Sequence, residues 1–233
     1  AKGDGAVKTL FADVTSDGHI RSYAAFDDQQ TDQLNASGPA VMPRLMGSGY
    51  IAFTVDQAAA NEDAGHRYQG IVELEGPNLG DCAVAWFKNS EQLTANVITV
   101  AQKTTSGWQS AALFLQQIAE ESADNPLTRP AAWLEDEWHT AMVLMSSAQK
   151  AELLDPTLRP NELLFRLFHA KGLHIQPFRP MSDHCRCSAE KVELMLQSLS
   201  AEQRLDMSDE TGHLVVNCEF CKTTRSYHNQ DFS

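Results

Sequence analysis

Apolar and polar residues alternate through the first part of the chain at the period of two that marks half-buried strands. Residues 6–14 and 19–26 follow this pattern on either side of Ser16-Asp17-Gly18, a turn signal that predicts a hairpin. Gly47-Ser48-Gly49 introduces a short strand over residues 50–55; a polar loop follows over 61–65, and residues 68–74 read as another strand. The period then lengthens. Leu79, Cys82, Ala83, Trp86 and Phe87 fall at i, i+3, i+4, i+7 and i+8, one apolar helix face with Asn78 as its cap. Residues 95–101 and 108–118, separated by Thr104-Thr105-Ser106-Gly107, read as two further strands, although the composition of the second also suits a helix.

After Glu120 the pattern changes again. Residues 121–130 are polar and contain proline, which suits a domain boundary. Leu134, Trp138, Ala141, Met142 and Met145 form one helical stripe. Pro160 and Asn161 open another helix, with Leu163, Leu164, Leu167 and Phe168 facing inward and Gly172 closing it. In the last fifty residues Ser188 caps a helix carrying Val192, Met195, Leu196 and Leu199, and Ser200 with Gln203 forms a capping box for a second. Gly212 turns the chain into a strand over 213–217, and 223–227 can return as its partner around Cys218-Glu219-Phe220-Cys221. No internal repeat is evident.

A chain of 233 residues can bury a full core, with room for one medium domain and a small satellite module. Its formal net charge of -13 repels phosphate backbones, and the C-terminal Arg179, Arg186, Lys191, Lys222 and Arg225 are interleaved with acids. Nucleic acid is therefore not an expected partner. The same negative field keeps a protein soluble when it exposes apolar surface. No apolar run approaches a membrane span and no secretory h-region opens the sequence, so a cytoplasmic location without membrane contact is expected.

Charge narrows the field; the cysteines define the chemistry. Of five, Cys82 stands alone on an apolar helix face, where a buried small hydrophobe is expected. The other four form two short pairs, Cys185/Cys187 and Cys218/Cys221. Two such pairs brought together supply the four soft ligands of a tetrahedral zinc ion and leave no position for water, so the predicted site is structural rather than catalytic. Free thiols or plain disulfides are the competing readings, and His184, His213 or His228 could stand in for a thiolate. A thioredoxin-like CxxC precedes a helix, whereas Cys221 is followed by the β-favouring Lys222-Thr223-Thr224-Arg225-Ser226-Tyr227. A module of about fifty residues has little core of its own, and zinc supplies about 10–16 kcal/mol of folding free energy in comparable finger peptides. Oxidation of the sulfurs would remove the ligands and unfold the unit.

Nothing else assembles a catalytic centre, and an enzyme is not expected. Gly47-Ser48-Gly49 lacks the nucleophile-elbow spacing, Gly3-Asp4-Gly5 is not followed by a phosphate-loop lysine, and the polar groups of His66-Arg67-Tyr68-Gln69-Gly70 stand at a strand start, where a turn is their expected use. Trp133, Trp138, Met142, Met145, Phe165 and Phe168 are expected to pack against the first domain. If that packing can be released, the same residues form an adhesive surface for other proteins.

Cys185-Arg186-Cys187-Ser188 and Cys218-Glu219-Phe220-Cys221, with Gly47-Ser48-Gly49-Tyr50, Arg67-Tyr68-Gln69-Gly70, Leu74-Glu75-Gly76, Ser90-Glu91-Gln92-Leu93 and the helix opened by Pro160-Asn161-Glu162-Leu163, resemble the bacterial redox-regulated 33 kDa chaperonin family, heat shock protein 33. The resemblance spans nearly the whole chain. It implies an α+β protein: a mixed α/β core domain with stacked strands over residues 1–125, a metastable helical linker over 126–180, and a small C-terminal zinc-binding redox-switch domain over 181–233. It further implies one zinc ion on Cys185, Cys187, Cys218 and Cys221 in a quiescent reduced form. Oxidants then expel the metal, disulfides form as Cys185–Cys187 and Cys218–Cys221, and the linker and zinc domain unfold. The opened surface holds unfolding client proteins without ATP, often as a homodimer. The family carries a segment before the stretch matching Lys2-Gly3-Asp4-Gly5 and often a tail after Phe232, so the chain is expected to be a truncated form. Two other classes remain open from the residues: a zinc-stapled adaptor for nucleic acid or protein, recognised by salt-sensitive binding, and a thiol oxidoreductase, recognised by an accessible low-pKa cysteine and turnover.

Overall fold

Each alternating stretch is a strand in the computed structural model, which describes residues 1–34, 40–56, 67–118 and 130–232. The chain divides into two compact units, residues 1–8 with 26–177, and residues 9–25 with 178–233.

In the first unit, strand Gly49–Asp56 pairs antiparallel with Lys2–Gly3 on one side and with Arg67–Glu73 on the other, Ile51 opposite Val72. The expected loop over 61–65 and, except for Pro130, the expected boundary over 121–130 lie outside the described residues. The strand expected over 68–74 forms as Arg67–Glu73, and the turn considered for its first residues is replaced by extended backbone from Arg67 on. Arg67 faces Asp56 across the ladder, its Nε 2.6 Å from Oδ1, and Gly70 lies against Trp86. Helix Leu79–Ser90 forms as its apolar period predicts, with the Asn78 side chain accepting from the backbone N–H of Asp81 at 3.1 Å. It buries Cys82 and Trp86, while Leu79, expected inward, is exposed in the first turn. Trp86 Nε1 donates to the carbonyl of Gly70 at 2.9 Å and its ring stands 4.3 Å from that of Phe53. A Cβ on Gly70 would collide with the side chains of Trp86 and Ser90, so only glycine allows this approach.

The segment that composition alone left between strand and helix is strand. Ala95–Thr104 and Gly107–Gln116 form one long hairpin, in register from Ala95 opposite Gln116 to Thr104 opposite Gly107. Helix Ala131–Ser146 packs on it through buried Met145, whose sulfur accepts from Asn96 Nδ2 at 3.6 Å. Helix Pro160–Phe168 starts on proline and buries Leu163; Gly172, at φ 76°, then ends the following short 3-10 turn. Met46, Ile51, Cys82, Trp86, Met145, Leu154 and Leu163 are the larger members of this unit's buried apolar set, which also includes Ala6, Val7, Met42 and Ala95.

In the second unit, strands Val7–Val14 and His19–Phe26 make a hairpin whose outer part, Thr9–Ala25, is the first piece. Gly18, at φ 82°, closes its turn with an N–H donated to the carbonyl of Thr15 at 2.9 Å. The second piece holds helix Ala189–Ser198, capped by Ser188, and helix Ala201–Met207, opened by the Ser200/Gln203 capping box. Strand His213–Asn217 then pairs antiparallel with Thr224–His228. Leu196 and Leu214 are its only buried apolar side chains among the described residues; Met195, expected inward, is exposed. Buried Arg204 completes the interior, donating to the carbonyls of Leu199 (2.6 Å) and Phe232 (2.9 Å) and to Asn229 Oδ1 (3.2 Å). Among the described residues no helix is long and apolar enough to cross a membrane.

Candidate metal centre

Two local structures deliver the four sulfurs. Ser188 is the N-cap of helix Ala189–Ser198, accepting from the N–H of Lys191 at 3.3 Å, and this fixes Cys187 immediately before the helix. Upstream, Ser182–Asp183 pairs in parallel with His19–Ile20 and holds the approach to Cys185. On the other side, Cys218–Cys221 is a tight knuckle at the end of the C-terminal hairpin. Cys218 donates its N–H to Thr223 at 3.0 Å and accepts from the N–H of Lys222 at 2.8 Å, and Lys222 takes the left-handed conformation at φ 56°.

All four Sγ atoms lie within 4.8 Å of one another, and all four thiols are free. The shortest separations run between the pairs, Cys185 to Cys218 at 3.6 Å and Cys187 to Cys221 at 3.5 Å. A tetrahedral ion with bonds of about 2.3 Å to sulfur needs ligand-to-ligand edges of about 3.8 Å, so the arrangement fits a four-thiolate ion. Among the described residues this is the only group of three or more His, Cys, Asp or Glu donors able to hold a metal ion. The three histidines considered as substitutes lie elsewhere: His184 against His19 at 4.3 Å, and His213 against His228 at 4.0 Å.

The surroundings favour anionic sulfur at Cys218 and Cys221. Hydrogen bonds from Thr223, side chain first and then backbone, bring Cys221 down to about 6. Cys187, hydrogen-bonded first to Cys221 and then to Cys185, is pushed up to about 11. Backbone N–H groups of the knuckle, Cys221 first, lower Cys218. Arg225 Nη1 lies 3.5 Å from Cys187 Sγ. Cys82, in the first unit, is the opposite case: it is fully buried, and desolvation raises its pKa.

The hairpin arm also belongs to the site, and no motif in the sequence announces it. Asp13 accepts from Arg21 through both carboxylate oxygens, at 2.9–3.1 Å, and pairs with Arg186, the residue between Cys185 and Cys187. The Arg21 partnership lowers the Asp13 pKa. Phe220, inside the knuckle, meets Phe11 at 5.6 Å and Tyr23 at 5.2 Å edge-on, with the Arg21 guanidinium 4.0 Å above its ring. The strand period places Phe11, Asp13, Arg21 and Tyr23 on one face of the hairpin, which is the signal that could have found them.

The adhesive residues of the middle helices divide. Met145 is buried, Trp138, Met142 and Phe168 are half-buried, and Trp133 and Phe165 are exposed.

The profile of the family described as Hsp33 protein matches residues 1–228. The 33 kDa chaperonin of Caulobacter vibrioides is 31% identical over 228 residues, covering 95% of this chain and 71% of that protein. The 33 kDa chaperonin of Pseudomonas aeruginosa is 31% identical over 222 residues, covering 95% and 68%. In structure, the crystallised 33 kDa chaperonin (heat shock protein 33 homolog) of Thermotoga maritima shares the fold at a TM-score of 0.70 and 19% identity, covering 99% of this chain and 73% of that one.

Proposed function

The chain belongs to the Hsp33 family, and from that premise we propose that it is a redox-regulated, ATP-independent holdase rather than an enzyme. It acts in the cytoplasm, is quiescent when reduced and holds unfolding proteins when oxidised, as a homodimer in that form. The observation that carries the reading is the gathering of four free thiols within 4.8 Å in a unit that, among the described residues, buries only two apolar side chains.

Cys185, Cys187, Cys218 and Cys221 would hold one zinc ion, which when bound supplies the cross-link that a core of this size lacks. The protein's own part is to prepare the sulfurs. Thr223 and the knuckle N–H groups favour thiolate at Cys221 and Cys218, and Arg225 faces Cys187. Oxidation takes two electrons from each near pair. In the proposed pairing, Cys185–Cys187 and Cys218–Cys221 each form one S–S bond, and for each bond one peroxide takes the two electrons and the two thiol protons and is reduced to two waters. Sulfurs in disulfides no longer serve as charged ligands, and the cross-link is lost.

One observation favours a second reading. Cys221 combines exposure with a pKa of about 6, the property of a thiol oxidoreductase. The next element after Cys221 is strand Thr224–His228 and not a helix, so the depression comes from local hydrogen bonds that serve metal binding equally well.

Zinc content, free-thiol count, far-UV circular dichroism and suppression of client aggregation, measured before and after mild peroxide, test the proposal. Expected are one zinc and no holding activity when reduced, then metal loss, loss of four thiols, partial unfolding and holding when oxidised. Equal holding in both forms would remove the redox switch, and catalytic turnover of a disulfide substrate would favour the oxidoreductase.

A further inference from the structure

Phe220 occupies a place shaped for an aromatic side chain, and its occupancy is tied to the sulfurs on either side of it. Phe11 and Tyr23, stacked at 5.8 Å, present their rings to its edges, and Arg21 lies over its face at 4.0 Å. Three groups of the hairpin arm thus surround one ring, and the Asp13 carboxylate holds Arg21 in position. Beside this clamp the strand His19–Phe26 offers main-chain groups to an extended segment. Ser182 donates its N–H to Gly18 and His184 to Ile20, both at 3.0 Å, along a pairing only two residues long. Bonds of that kind do not depend on side-chain identity.

Resting on the holdase reading, we infer that the Phe11–Tyr23 face of the hairpin arm is a docking surface for extended, aromatic-bearing segments of unfolded polypeptide, covered in the reduced form by the chain's own Phe220 and Ser182–Asp183.

The occupant is specified by what is seated there now: one aromatic ring in the clamp and one short extended strand on the edge. Unfolded chains supply both, and folded proteins keep both to themselves. The cover is bound to the switch, because Phe220 lies between Cys218 and Cys221 and Ser182–Asp183 leads into Cys185. When the knuckle loses its shape, the ring leaves the clamp and the edge loses its anchor. The arm does not depend on sulfur in the same way. Its strands run on into Val7, Lys8 and Phe26 of the first unit, where Asp27 donates to the carbonyl of Ala6 at 2.9 Å. Phe11 is already 42% exposed under the cover, so uncovering it needs no rearrangement of the arm.

The test uses the full chain carrying Phe11→Ser with Tyr23→Ser. Val14→Ser serves as control, an exposed apolar residue of the same strand at a position of opposite parity. Binding of carboxymethylated, permanently unfolded α-lactalbumin is measured for each oxidised protein, with thiol loss and circular dichroism on the same samples. Loss of two aromatic contacts is expected to weaken binding by about tenfold or more, with thiol oxidation unchanged and Val14→Ser behaving as wild type. A benzophenone amino acid at position 11 should crosslink to the client when oxidised and to the segment around Phe220 when reduced. Undiminished binding by the double variant, or crosslinks to Phe220 in both forms, would overturn the inference while leaving the holdase intact. Oxidised wild type that binds no client would overturn the holdase reading, and this inference with it.

Discussion

The two units are held together by different means. The first buries Met46, Ile51, Cys82, Trp86, Met145, Leu154 and Leu163, and its polar groups mostly follow from that packing, as when Trp86 donates to Gly70. The second buries Leu196 and Leu214 with one arginine, and gathers a partly exposed sulfur cluster. Apolar burial is indifferent to oxidants, whereas thiolate ligation is abolished by them. On the proposed reading, one chain contains a part that ignores redox conditions and, in residues 178–233, a part whose folding depends on them, and that difference is the physical content of the switch.

The largest predicted effect tests this with one residue type in both units. Cys218→Ser removes a proposed ligand, and loss of metal and of most ordered structure in residues 178–233 is expected, because binding on the scale of about 10 kcal/mol is forfeited. Cys82→Ala removes a buried sulfur from the helix face beside Trp86 and should cost the first unit about 1–2 kcal/mol with metal content unchanged. Metal analysis and amide-exchange protection resolved by segment give both readings. Should the second unit keep full protection without metal in Cys218→Ser, the division would collapse.

The same contrast governs what could be read in advance. Helix Leu79–Ser90, the hairpin at Thr104–Gly107 and the caps at Asn78, Ser188 and Ser200 were legible because period and capping chemistry act over a few residues. The cysteine pairs were legible because metal chemistry restricts both residue type and spacing. Asp13 and Arg186 are 173 positions apart, and neither motif nor period connects them. The parity of Phe11, Asp13, Arg21 and Tyr23 puts them on one strand face, but parity cannot name what covers that face. Period placed Gly70 in a strand, but why a glycine stands there is explained only by Trp86, which arrives from a helix sixteen residues on.

Arg204 sharpens the comparison at intermediate magnitude. Its guanidinium is satisfied by the carbonyls of Leu199 and Phe232 and by Asn229 Oδ1, with no carboxylate among those partners. Arg204→Leu would supply apolar volume but leave those acceptors unpaired, at a cost of about 2–3 kcal/mol. The expected outcome is a lower thermal midpoint for the second unit with the metal retained. A variant as stable as wild type would mean that this interior tolerates apolar filling and resembles the first unit more closely than its composition suggests.

The smallest effect concerns the ion pairs that join the arm to the cysteine loop. Asp13 is held below its ordinary 3.8 by its hydrogen bonds to Arg21, with Arg186 as a second cation. A lowered folded-state pKa makes this stabilisation fully present above 3.8 and progressively lost as the pH falls through the lowered value. The Asp13 and Arg21 side chains are about a quarter exposed and that of Arg186 is 37% exposed, so screening limits the contribution to about 1 kcal/mol or less. Asp13→Asn should therefore reduce exchange protection around Phe220 by that small amount at neutral pH, and the gap from wild type should persist unchanged as the solution is acidified toward 3.8. A gap that has already closed near pH ~5 would place the stabilisation on the sulfurs and not on Asp13. In that case the arm would be a passive neighbour of the metal-capable cluster, and the second unit would rest on its thiolates alone.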